Sequence, residues 1–146
     1  MHIWTLTNWQ KNLDSEVKRR TGIRFRYESS VDPEVKRACT QFARWLRAEY
    51  YFPLRVPVYV KGSKTVRTQD GETAVGSFFE PFSYYTEPYI KIATGDYDDL
   101  QSRNGKDNAL ATILATLAHE LTHYYQWIND IQLTPKGREQ QATRYS

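Results

Sequence analysis

Residues 119–123 read HELTH, two histidines four apart with a glutamate directly after the first. On an α-helix, positions i and i+4 lie on one face a single turn apart, so His119 and His123 can reach one ion. Zinc accepts such nitrogens at ~2.0–2.1 Å. Glu120 is displaced from His119 by about 100° around the helix, which places its carboxylate beside the ion rather than on it. From there it can take a proton from a water molecule. Two ligands and an adjacent base make up the HExxH arrangement of zinc hydrolases. The chain has only three histidines, and two fall at this spacing. They also sit inside a strongly predicted helix, which weighs against two structural histidines and a surface glutamate.

Two histidines hold zinc poorly, so a third protein ligand is required. A longer HExxHxxGxxH motif fails, because Gln126 and Asn129 stand where its glycine and histidine belong. No histidine follows His123, and His2 can take part only through the fold of the N-terminus. Asp130 lies near the same helix face as His123 but about two turns, ~10 Å, along the axis. Glu139 fits best. Thr134 reads as an N-cap and Pro135 as a first helical residue, which puts Glu139 on the second turn of a new helix. A turn around residues 128–133 would fold that helix back beside the first.

The elements that must position these residues follow from periodicity. Leu110, Ile113, Leu114, Leu117 and Leu121 form one apolar stripe, predicting a long helix capped by Asp107 or Asn108 and unbroken until Pro135. Trp9, Leu13 and Val17 suggest a helix from Asn8 to about Arg20, ended by Gly22. Asp32 and Pro33 start another, with Val35, Cys39, Phe42, Leu46 and Tyr50 on one face, broadened by Ala38 and Trp45. Between the helices the period changes to two. Val56, Val58 and Val60 alternate with Pro57, Tyr59 and Lys61, and residues 74–79 and 89–93 read as two further strands. Asp70 and Gly71 supply a turn, and residues 95–108 read as polar and turn-rich. The expected fold is a single α+β domain over 1–146, with N-terminal helices, a small three-stranded, mostly antiparallel sheet, the long HExxH helix and a C-terminal ligand helix.

Composition is that of an ordinary globular protein: 146 residues, 40% hydrophobic, 25% charged, net charge +3. With 11 Tyr and 4 Trp, much apolar surface carries a polar tip, so a core is compatible with a mean hydropathy of −0.71. A single cysteine makes no intramolecular disulfide, and Cys39 at helical apolar spacing reads as core. No signal-peptide pattern or membrane span is evident, so a cytoplasmic location is expected. The basic run KRRTGIRFR is flanked by Asp14, Glu16 and Glu28 and reads as a solvated face, so direct nucleic-acid binding is not expected. Asp96, Asp98 and Asp99 read as a solvated turn rather than a cation site.

HELTH followed by EQQATRYS resembles the ImmA/IrrE-type metallopeptidases, small gluzincins with HExxH and a downstream E-x-E-A-N-x-F-A helix. Glu139 matches the ligand glutamate of that motif, Ala142 its alanine, Tyr145 its aromatic and Ser146 its last small residue. Gln141 and Thr143 depart from it. A similar HExxH helix occurs in the SprT-like proteases, whose later histidine ligand this chain lacks. The resemblance implies a Zn2+ site of His119, His123 and Glu139, with Glu120 activating water for attack on a peptide bond. It also implies a protein or peptide substrate, such as a helix-turn-helix repressor, lying along an edge strand near Val75, Gly76, Ser77 and Phe78. The competing expectation is a catalytically silent module that docks a partner. Glu120 favours the enzyme, since a structural site has no use for a base. Tyr84, Tyr85, Tyr124, Tyr125 and Tyr145 all carry a hydroxyl suited to oxyanion stabilisation, though most are expected to be packing residues.

Overall fold

In the computed structural model, residues 2–13 and 20–145 are described. The strands are Ile23–Tyr27 (β1), Val56–Lys61 (β2), Val66–Arg67 (β3), Thr73–Ala74 (β4), Gly76–Phe79 (β5) and Tyr89–Ala93 (β6). Four of them form one sheet in the order β1-β2-β6-β5, and β3 and β4 form a separate ribbon. Antiparallel pairing is found between β5 and β6 and within the ribbon, whereas β2 is parallel to both β1 and β6. The sequence reading of three mostly antiparallel strands thus lacks β1 and the parallel centre. The 17-residue helix Pro33–Glu49 lies between β1 and β2, and a crossover of that length returns the chain to pair in parallel. In β1 the basic residues concealed an alternation: Ile23 is buried while Arg24 and Arg26 are exposed.

The helices are Trp9–Asn12 (α1), Pro33–Glu49 (α2), Tyr97–Asn104 (α3), Lys106–Ile128 (α4) and Pro135–Arg144 (α5), after a 3-10 turn at Ile3–Thr5. Helix α1 is far shorter than the expected 8–20, because the chain is already extended at Leu13; Val17 and the rest of that expectation, 14–19, lie outside the described residues. The Asp32 side chain accepts from the Glu34 N–H at 2.8 Å, with Pro33 opening α2 as its fixed φ allows. Val35, Ala38, Cys39 and Leu46 of that helix are buried, but Trp45 is 45% exposed and stacks on Phe42 instead. Burial pushes the Cys39 thiol up to about 12, so it is an inert core group.

Residues 97–104, expected to be a turn-rich loop, form α3, and Gly105 at φ 85° separates it from α4. Asp107 and Asn108 therefore lie inside the first turn of α4 rather than capping it. Asp98 and Asp99 occupy the first turn of α3, where Asp99 pairs with Arg103 at 3.0 Å. Helices α2 and α4 touch each other and the sheet, burying Val56, Val58, Val60, Ile90 and Ile92 completely. From Glu120 to Asn129 every residue of the α4 segment is buried. No helix among the described residues is long and apolar enough to cross a membrane.

Candidate metal centre

The C-terminal end of α4 reverses the chain by a mechanism legible in its hydrogen bonds. Ile131 N–H donates to the Gln126 carbonyl at 3.0 Å and Asp130 N–H to that of Trp127 at 3.1 Å. Asp130 itself sits at φ 49°, the left-handed position of a Schellman cap. Asp130 is thus the residue at which the chain turns, and it stands apart from the histidine cluster. The Thr134 side chain then accepts from the Gly137 N–H at 3.0 Å and Pro135 opens α5, as the sequence reading anticipated. Ala142 is fully buried on the side of α5 that packs on α4. Its small side chain lets the two helices approach closely.

This return brings Glu139 to the two histidines. Its Oε2 lies 3.0 Å from His119 Nε2 and its Oε1 lies 2.9 Å from His123 Nε2. One ligand atom from each of the three residues falls within 4.8 Å of the others, a group that could hold a metal ion. His2 is engaged elsewhere: its Nδ1 accepts from the Trp4 N–H at 3.0 Å and its ring lies 4.2 Å from that of Tyr145. Ser146 lies outside the described residues.

Gln126 determines which His123 nitrogen faces the site. Its amide nitrogen donates to the Arg138 carbonyl at 3.0 Å and to Gln141 Oε1 at 2.9 Å. A backbone carbonyl only accepts, so the amide oxygen must face the other way, 2.8 Å from His123 Nδ1. Nδ1 therefore carries the proton. Burial, first among several influences, also lowers the His123 pKa and favours the neutral ring. Its Nε2 then directs a lone pair at a carboxylate oxygen, an arrangement that repels unless a proton or a metal ion lies between the two. Two imidazole nitrogens and one carboxylate are a donor set suited to zinc and its neighbours in the first transition row.

In the sequence Gln126 marks the point where a longer motif fails, although its position three residues after His123 predicts a shared face. Replacing Gln126 with leucine is expected to weaken zinc affinity by roughly 10–100-fold, the usual cost of removing a partner that orients a ligand. Competition with a chromogenic chelator would measure it, and unchanged affinity would remove this role. Arg138, also missed, reaches from α5 to Glu80, just past the end of β5, at 3.3 Å.

Glu120 is 7% exposed. Burial, and then the charge of Glu139, push its carboxyl up to about 8. It faces β5 across a close approach. A Cβ added to Gly76 would lie 2.7 Å from Thr116 Cγ2 and 2.8 Å from Glu120 Oε2. Glycine at 76 is therefore what lets the edge strand sit against the carboxyl group. Gly76→Ala is expected to destabilise the protein by about 1–3 kcal/mol through overpacking. Equilibrium unfolding in urea reads the change, and a neutral result would mean that Glu120 swings away freely.

A groove of about 1120 Å³ runs over these residues, lined by α4, by Val75 to Phe78, by α5 and by the turn at 68–70 of the β3–β4 ribbon. All four residues assigned to substrate thus line it with His119, Glu120, His123 and Glu139. None of the five tyrosines does. Tyr124 and Tyr125 donate their hydroxyls to the carbonyls of Leu54 and Tyr51, and Tyr84 to that of Trp127, which makes these three packing residues. Comparison with protein-family models, with curated proteins and with solved structures found no match to this chain.

Proposed function

We propose that the protein is a zinc-dependent endopeptidase, similar to the ImmA/IrrE-type metallopeptidases. The observation that carries this reading is the buried Glu120 carboxyl, held beside the three-residue ligand group and open to the same groove as an edge strand. A site that only stabilised the fold would need no base next to its ligands and no opening of this size. His119, His123 and Glu139 would hold the ion, and the groove they line is open to water and to a peptide carbonyl. Bound zinc supplies a Lewis acid that polarises the carbonyl and brings the pKa of water to ~7.

The remaining work belongs to the chain. Glu120 accepts a proton from the attacking water and returns it to the leaving amine. A carboxyl held high by burial and drawn down by a nearby cation has a pKa suited to moving a proton in both directions near neutrality. Strand β5 is the sheet edge: its inner side pairs with β6, and its outer side faces the groove. An extended peptide can add there as a further strand, with main-chain hydrogen bonds giving affinity. That a helix-turn-helix repressor is the natural substrate rests on the family resemblance alone.

The test uses zinc-loaded protein with an unstructured protein substrate and with isolated repressor proteins, read by mass spectrometry of the fragments. Cleavage that stops with a chelator and resumes with zinc is the expected result. Stoichiometric zinc with every substrate intact would replace the enzyme by a docking module of the same fold.

A further inference from the structure

The side of the sheet away from the helices has its own chemistry. The positions alternating with the buried valines and isoleucines are Arg24 and Arg26 on β1, Tyr59 and Lys61 on β2, and Tyr89 and Lys91 on β6, with Phe79 at the edge. The register sets Arg26 beside Tyr59, Tyr59 beside Lys91, and Tyr89 beside Phe79. Cations and rings are therefore interleaved across all four strands. The Tyr89 and Phe79 rings stack at 4.8 Å, and Tyr59 meets Tyr89 edge-on at 5.9 Å. Lys61 and Lys91 lie over the rings of Tyr59 and Tyr89 at 5.7 and 5.5 Å.

No acidic residue occurs in any of these four strands. At the rim, Glu28 accepts from the Gly62 N–H and lies 3.8 Å from Lys61, and Glu87 is held by Arg55. Arg24 and Arg26 are exposed and have no ion-pair partner among the described residues. The face is about three interstrand spacings wide, ~14 Å, room for a few nucleotides.

We propose that this face binds single-stranded nucleic acid. A surface that joins cations with aromatic rings serves phosphates and unpaired bases at once, and it needs no base-specific contact. A duplex offers it phosphates but no free base faces. KRRTGIRFR, expected from the sequence to be a solvated run, instead supplies most of β1, which sets Arg26 beside Tyr59 of β2 and Arg24 beside Pro57 on the same face. The face lies on the opposite side of the sheet from Glu120, so its use does not depend on the metal reading.

The test is fluorescence anisotropy with labelled oligo-dT, oligo-rU and a duplex of the same length, between about 50 and 200 mM salt, with and without chelator. The expected result is binding to dT or rU that is indifferent to chelator and falls with salt at a log–log slope of about −2 to −3, for four cations at roughly 0.7 each. Whichever strand binds more tightly identifies DNA or RNA as the source. R24E/R26E/K91E is expected to weaken binding by at least about tenfold. Y59S is expected to weaken it about tenfold with the salt slope kept, since it removes a stacking face and no charge. Circular dichroism and the unfolding temperature verify that each variant is folded. Binding that survives the charge reversal, absence of binding at the lowest salt, or equal affinity for duplex, polyglutamate or anionic vesicles would each overturn the proposal.

Discussion

Purified Glu139→Ala protein is expected to lose its metal while keeping its fold. Wild type should take up about one zinc per chain. The variant retains only His119 and His123, and two histidines on adjacent turns do not complete a tetrahedral site. Loss of a ligand should exceed the loss from disturbing a ligand's partner, so affinity should fall by more than ~100-fold. The Glu139 side chain is 63% exposed, so the metal-free variant should unfold at nearly the wild-type denaturant midpoint. Elemental analysis and chelator competition give the affinity, and urea unfolding gives the stability. Zinc bound with unchanged affinity would break the His, His, Glu site, and neither Asp130, at the helix cap, nor His2, capping the N-terminal turn, stands ready to replace it.

Glu120→Gln separates chemistry from binding, and its effects point in opposite directions. Hydrolysis should drop by roughly 10²–10⁴-fold, the usual contribution of a positioned general base, with zinc still bound. The metal-free variant should meanwhile be more stable than wild type in mildly alkaline buffer. Glu120 has its folded pKa pushed up to about 8, against an ordinary value of 4.5. Between those values the unfolded chain has released the proton and the folded chain still holds it. Native protein then binds more protons, so stability falls as pH rises from about 4.5 to about 8 and levels off above. The loss is on the order of a few kcal/mol at that one group. Glutamine does not titrate, so this part of the slope should vanish. Urea midpoints of both proteins across that range, with chelator present, provide the check. Parallel pH slopes would mean that the carboxyl group is solvated after all, and full activity in the variant would remove Glu120 from the mechanism.

How much of this was legible beforehand depended on whether a signal is local. The HELTH pair, the Asp32 and Thr134 caps and the strands at 56–60 and 89–93 all rest on contacts within a few residues, and each was readable. Strand β1 was not, because arginines at its outward positions broke the apolar appearance of a segment whose inward residues alternate correctly. Helix α3 escaped for the opposite reason: its eight residues bury only Tyr97, so no apolar stripe marks it.

By itself, then, the sequence determined a helix that presents His119 and His123 on one face with Glu120 beside them, since 3.6 residues per turn leaves no other arrangement. It also determined that a second helix begins at Pro135 with Glu139 on its second turn. Only the tertiary structure decided that the two meet. That required Asp130 to adopt a left-handed conformation, Ala142 to be small where α5 packs, and Gln126 to join His123 to the Arg138 carbonyl, and none of the three says in the sequence which second element it serves. The approach of Gly76 to Glu120 belongs to the same class, because a missing side chain registers in a sequence only as flexibility until the neighbour that needs its space is known.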